Sequence, residues 1–173
     1  MSRTIPVFVA AMSVMTTGCS TGGPSGSATQ SAAARKDYER LSGTWQLTRG
    51  VVNGKLVLAS VAQNTILITD HNTFRFPKAN GVGTHPAGTF TVNPDTEPKQ
   101  VDSIAEGGQH AGQLTRGIYE ILDANDKRAC WGQPGGPRPA EFTSPRGSGW
   151  ILQYWKKNWA GALQLKIQQG SDH

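Results

Sequence analysis

The feature that most constrains this chain is the brevity of its apolar runs and their alternation with polar residues. In Phe74-Arg75-Phe76, Phe90-Thr91-Val92 and Leu163-Gln164-Leu165-Lys166-Ile167, every second side chain is apolar. A period of two places one face of an extended strand in a core and the other in water. Turn formers separate the runs. Asn53-Gly54 is the strongest short hairpin signal, and Asp70-His71-Asn72, Asn93-Pro94-Asp95, Gly107-Gly108 and Asp123-Ala124-Asn125-Asp126 follow. Strands are expected over 44–52, 55–58, 65–69, 73–76, 89–93, 100–104, 114–122, 128–131, 150–156 and 163–168, behind one helical turn over 37–41. No segment carries a sustained helical period. About 8–10 short strands with tight turns make an all-β antiparallel barrel or sandwich, and closure into a barrel removes unpaired edges.

Composition narrows the alternatives. With 21 Gly and 10 Pro among 173 residues and 17 % charged side chains, the chain is neither a coiled coil nor a long helical bundle. The glycines lack the strict period of collagen. The formal charge is +5, but the longest basic runs are the pairs Arg35-Lys36 and Lys156-Lys157. Scattered charge of this kind is a solvated surface, so no nucleic acid is expected as a partner.

The N-terminus reads as an address. Arg3 supplies a positive start, residues 5–15 form an apolar core of signal-peptide length, and Thr16, Thr17 and Gly18 precede Cys19. The apolar core is shorter than the roughly 20 residues a membrane-spanning helix needs. Small residues followed by Cys resemble the bacterial lipobox, in which the signal is removed before a cysteine that then receives acyl chains. Thr16 stands where that motif usually has Leu, and ordinary secretory cleavage is the alternative. Residues 20–36 contain almost no bulky apolar side chain and read as a flexible Gly/Ser/Ala tether. The expected division is a signal peptide over 1–18, a lipid anchor and linker over 19–36, and one domain over 37–173. The expected location is exported, in the cell envelope, anchored through lipid on Cys19 to the outer membrane.

Several strings share an order and spacing. They are Leu41-Ser42-Gly43-Thr44-Trp45, Val52-Asn53-Gly54-Lys55, Gly88-Thr89-Phe90-Thr91-Val92-Asn93, Pro98-Lys99-Gln100-Val101-Asp102 and Gly117-Ile118-Tyr119-Glu120-Ile121, followed by Cys130 and the segment 134–142. Together they resemble an uncharacterised domain family common in planctomycete proteins, over roughly residues 38–157. The resemblance implies a lipocalin-like (calycin-type) barrel and says nothing of chemistry, since fold does not dictate function. Gly43-x-Trp45 is similar to the lipocalin GxW signature. By that likeness Trp45 closes one end of the barrel, and a cation from a late strand, Lys156, Lys157 or Lys166, covers its ring.

No catalytic motif is recognised: there is no GxSxG, HExxH, Walker loop or GxGxxG. His71, His85, His110 and His173 lack metal-ligand spacing, and Asp123, Asn125 and Asp126 suit a hairpin turn better than calcium. No metal and no cofactor are expected. Asp102, Tyr119 and Arg138 form the candidate polar cluster. Arg138, held between Pro137 and Pro139, suits either a bound anion or a structural pairing with Asp102 or strand-end carbonyls. Gly117 leaves space beside Tyr119. Cys130 reads as a buried thiol. In the last strand Trp150, Leu152 and Tyr154 share one face and Ile151, Gln153 and Trp155 the other; one face fills the barrel, leaving Trp155 exposed or half-covered by the tail. The leading expectation is non-catalytic binding of a small apolar or amphipathic ligand inside the barrel. The alternative is a structural or partner-binding envelope protein with a filled barrel and an unknown protein partner. An enzyme using Asp102, Tyr119 or Arg138 ranks third.

Overall fold

The computed structural model describes residues 30–77 and 87–158. Cys19, the signal segment, most of the tether, Lys166 and the expected strand over 163–168 lie outside these residues, as do His85 and His173. The strands are β1 (Gly43–Val52), β2 (Lys55–Leu56), β3 (Ile66–Asp70), β4 (Thr73–Arg75), β5 (Ala87–Asn93), β6 (Lys99–Ala105), β7 (Leu114–Ile121), β8 (Asp126–Pro134) and β9 (Ile151–Lys157). From β3 onward each strand pairs with the next, β1 pairs with β3, and all the pairings are antiparallel. A final ladder between β1 and β9, from Trp45↔Lys157 to Val52↔Ile151, closes the sheet. The result is an eight-stranded antiparallel β-barrel of lipocalin-like form, with the two-residue β2 appended to the end of β1. The Asn53-Gly54 signal is realised as a β1–β2 hairpin in which both residues have positive φ, 51° and 78°.

Two helices complete the described residues: α1 (Ala32–Leu41) and α2 (Ala59–Gln63). α1 begins inside the stretch read as tether and is far longer than one turn. Ser31 caps it, its Oγ accepting the Ala34 N–H at 3.1 Å. Ala34, Tyr38 and Leu41 recur at helical spacing and are buried. The alanines that make this stretch resemble a linker are also the best helix formers, and their small side chains let the helix lie close against the barrel. Tyr38 stacks on Phe90 with ring centroids 5.6 Å apart, so α1 closes one end of the barrel against β5. α2 buries Ala62 in a cluster with Trp45, Leu47 and Trp155.

Side chains alternate across the sheet as the period of two requires. Ile151, Gln153 and Trp155 of β9 point inward, and Trp155 is 2 % exposed with its ring 6.3 Å from Phe76. The expectation of an exposed or half-covered Trp155 is therefore corrected: the face carrying Trp155 is the one that faces the interior. The opposite face needs its own cover. Ile118, Cys130 and Leu152 form an outer cluster with Phe142, Trp150 and Tyr154, beneath the segment that joins β8 to β9. Burying an aliphatic side chain such as Ile118 or Leu152 there stabilises by about 1.5–3 kcal/mol. The segment can lie this close because of Gly132, where a Cβ would fall 2.2 Å from the Pro137 carbonyl oxygen.

Candidate functional site

Inside the barrel lies a cavity of about 470 Å³. Its wall is mostly apolar and aromatic, with Phe74, Phe90, Val101, Trp131, Ile151 and Trp155 among the contributors. At the end opposite α1, Asn53, Gln133 and Gly149 line it where β1, β8 and β9 meet their connecting loops. Gly117 matters to its shape: a Cβ there would lie 2.6 Å from the Trp131 ring, so the space expected beside Tyr119 is taken up by that indole.

Polar groups enter the wall at a few points. Ser103, Thr115, Lys127 and Gln153 are buried and line the cavity. Thr115 Oγ1 has no hydrogen-bond partner among the described residues. Buried hydroxyls in folded proteins are usually paired, so this one leaves a hydrogen-bonding position open at the cavity wall.

Lys127 is the most unusual of these groups. It is 6 % exposed, and its Nζ lies 4.0 Å from the centroid of the Trp45 ring. Lys157 Nζ lies 5.2 Å from the same centroid. Among the described residues no carboxylate pairs with Lys127. Burial, with the repulsion of Lys157 added, holds its amine well below the ordinary value of 10.5. The cation–π attraction of a desolvated site is about 2 kcal/mol, whereas burying an ammonium without a counter-ion costs several. Desolvation outweighs the attraction of the ring, so the site disfavours the charged form of the amine.

The barrel end below the cavity is built from α1 and Trp45. Trp45 is fully buried, and its indole N–H donates to Leu41 O at 2.8 Å and to Thr69 Oγ1 at 3.2 Å. Of the three cations expected over its ring, Lys157 is there. Lys156 instead reaches Asp126 at 3.2 Å. Lys127 is closer still and was not anticipated. It follows an Asp at a strand start and reads as surface charge, yet Lys127, Ala129, Trp131 and Gln133 share one face of β8. That period was the available signal.

The candidate cluster Asp102, Tyr119 and Arg138 is divided by the fold. Arg138 pairs with Asp102 at 2.7 Å and donates to Val101 O at 3.0 Å and Gly117 O at 2.6 Å. It is thus a clamp between the β8–β9 segment and strands β6 and β7, with neither Arg138 nor Asp102 lining the cavity. Tyr119 points inward but away from them. Its hydroxyl donates to Asp37 Oδ2 at 2.7 Å, and the same oxygen receives Lys99 Nζ at 2.7 Å. Burial and the neighbouring Asp37 carboxylate push the Tyr119 phenol far up, so it stays protonated. Asp37, 3 % exposed, was missed because it stood at the expected edge of a linker.

The remaining candidates take structural roles. Asp123 Oδ1 accepts the N–H groups of Asn125 at 2.6 Å and Asp126 at 2.8 Å, a side-chain-stabilised turn. Cys130 is a fully buried free thiol donating to Thr143 O at 3.1 Å, and burial pushes it up to about 11. His71 is exposed beside Asp70, while His110 lines the cavity. Among the described residues no group of His, Cys, Asp or Glu side chains is placed to hold a metal, and no helix is long and apolar enough to cross a membrane. No family model, curated protein or solved structure matches the chain.

Proposed function

We propose that this protein is a non-catalytic binding protein of the cell envelope that holds one small apolar or amphipathic ligand inside its barrel. The observation that carries the reading is the cavity of about 470 Å³, within the roughly 300–1,000 Å³ usual for small-molecule sites and walled by apolar and aromatic side chains with a few polar points. A filled barrel, the structural alternative, accords poorly with that volume. An enzyme is weakly supported: Asp102 and Arg138 are engaged with each other outside the cavity, and the Tyr119 hydroxyl is engaged with Asp37.

Native mass spectrometry of the chain purified from its own host tests the reading. The expected spectrum carries a small co-purifying mass that denaturation releases. An Ala129→Phe variant, which places a ring in the cavity wall, is expected to fold and to lose that mass. Wild-type protein that purifies empty and also fails to take up an apolar fluorescent probe such as 1-aminoanthracene overturns the reading.

A further inference from the structure

We propose that the ligand of this cavity is an amphiphile with a carboxylate head, and that Lys127 receives the head while the apolar tail lies along the aromatic wall. This inference rests on the binding reading above and adds the chemical class of the guest. Three observations carry it. First, Lys127 lines the cavity and, among the described residues, has no acidic partner. Second, a further cation stands beside it: Lys157 on β9 shares the Trp45 ring with it. Two acids at this end of the barrel are engaged elsewhere, Asp37 of α1 with Lys99 and Tyr119, and Asp126, adjacent to Lys127 on β8, with Lys156. The remaining inward groups of β1 and β3 near the ring, Trp45 and Thr69, are uncharged. Third, Phe74, Phe90, Val101 and Trp131 give much of the remaining wall an aliphatic-chain surface; of its other basic groups, His110 and Arg128, Arg128 is paired with Glu120.

An apolar guest without a charge would leave the amine as it is. A carboxylate would supply the counter-ion that Lys127 lacks among the described residues, in a site where water competes poorly. The proton balance follows. The ligand arrives as an anion and burial disfavours the charged amine, so forming the ammonium–carboxylate pair pulls the amine towards its protonated form and draws protons from solution. Affinity for the anion should then weaken as pH rises, while affinity for an uncharged analogue should not.

The test compares dodecanoate with methyl dodecanoate by isothermal titration on the full chain, in two buffers of different ionisation enthalpy. We expect dodecanoate to bind roughly tenfold or more tightly than the ester, with a net uptake of protons on binding. In Lys127→Met the preference and the proton uptake should vanish while ester binding persists. Equal affinity for acid and ester in the wild type, with no proton uptake, overturns the carboxylate assignment and leaves the binding reading standing. A chain that takes neither compound loses both. The preference of the wild type for acid over ester decides the matter even if the variant does not fold.

Discussion

At Lys127 two effects act on one amine. The Trp45 ring face attracts an ammonium, and burial next to Lys157 expels its proton. Because the folded state holds this amine well below 10.5, the unfolded chain binds one more proton than the folded chain across the window between that lowered value and about 10.5. Stability contributed by this site therefore rises with pH through the window and is lowest beneath it. Lys127→Met is expected to stabilise the fold at pH 7 by on the order of 1 kcal/mol, raising the midpoint of thermal unfolding, and to stabilise it less at pH 10. Thermal melts of both proteins at the two pH values check this. A variant that is equally destabilised at both would mean that the amine is favourably solvated in the fold. Such a residue lowers stability in return for a site, the pattern expected where function resides.

Among the elements, α1 and the β8–β9 segment both pack against the barrel, and each carries one ionic contact to it. α1 is fixed by the Asp37 carboxylate, which takes Lys99 and Tyr119 together. Removing it leaves a buried phenol unpaired and Lys99 without its partner. Since the Lys99 side chain is 35 % exposed and water can take over part of its solvation, Asp37→Ala should cost about 2–3 kcal/mol rather than the full 3–5 of a sealed pair. Tyr119→Phe keeps the ring and the ion pair and should cost about 1 kcal/mol. Urea denaturation orders the two; equal losses would sink the account of Asp37 as the shared anchor. The β8–β9 segment is tied by Arg138 to Asp102 and to two strand carbonyls. Arg138→Ala should lower stability by about 2 kcal/mol yet leave ligand affinity unchanged, because Arg138 lies outside the cavity. Calorimetry and a binding titration on the same preparation separate the two effects.

For the molecule as a whole, the barrel and its tether answer different questions. The proposed anchoring concerns the signal-like segment and Cys19, and the proposed binding concerns the barrel. Cys19→Ala is expected to move the protein from the membrane to the soluble fraction of its host without altering the affinity of the barrel. Membrane association that survives the substitution, read by fractionation and immunoblot, would falsify lipid anchoring. A single acyl chain gives only marginal attachment, so the full effect requires the multiple chains a lipobox implies.

Much of this was legible along the chain because strand formation is a local matter. Alternation at Phe74-Arg75-Phe76 and the Asn53-Gly54 turn prefigure β4 and the first hairpin, since a period of two and a positive-φ turn are properties of neighbouring residues. Trp45 was legible through its Gly43 neighbour. α1 was not, because Ala-rich sequence is compatible with both a tether and a helix, and only contact with Phe90 and Lys99 decides between them. Nor was the division of Asp102, Tyr119 and Arg138: Asp102 and Tyr119 stand on adjacent strands with opposite inward phase, and phase follows from register rather than from residue type. Sequence by itself determined an antiparallel all-β domain with Trp45 in a place of consequence. Only closure of β1 on β9 decided that Trp155, Gln153 and Lys127 face a common interior, because a cavity exists only once the last strand meets the first.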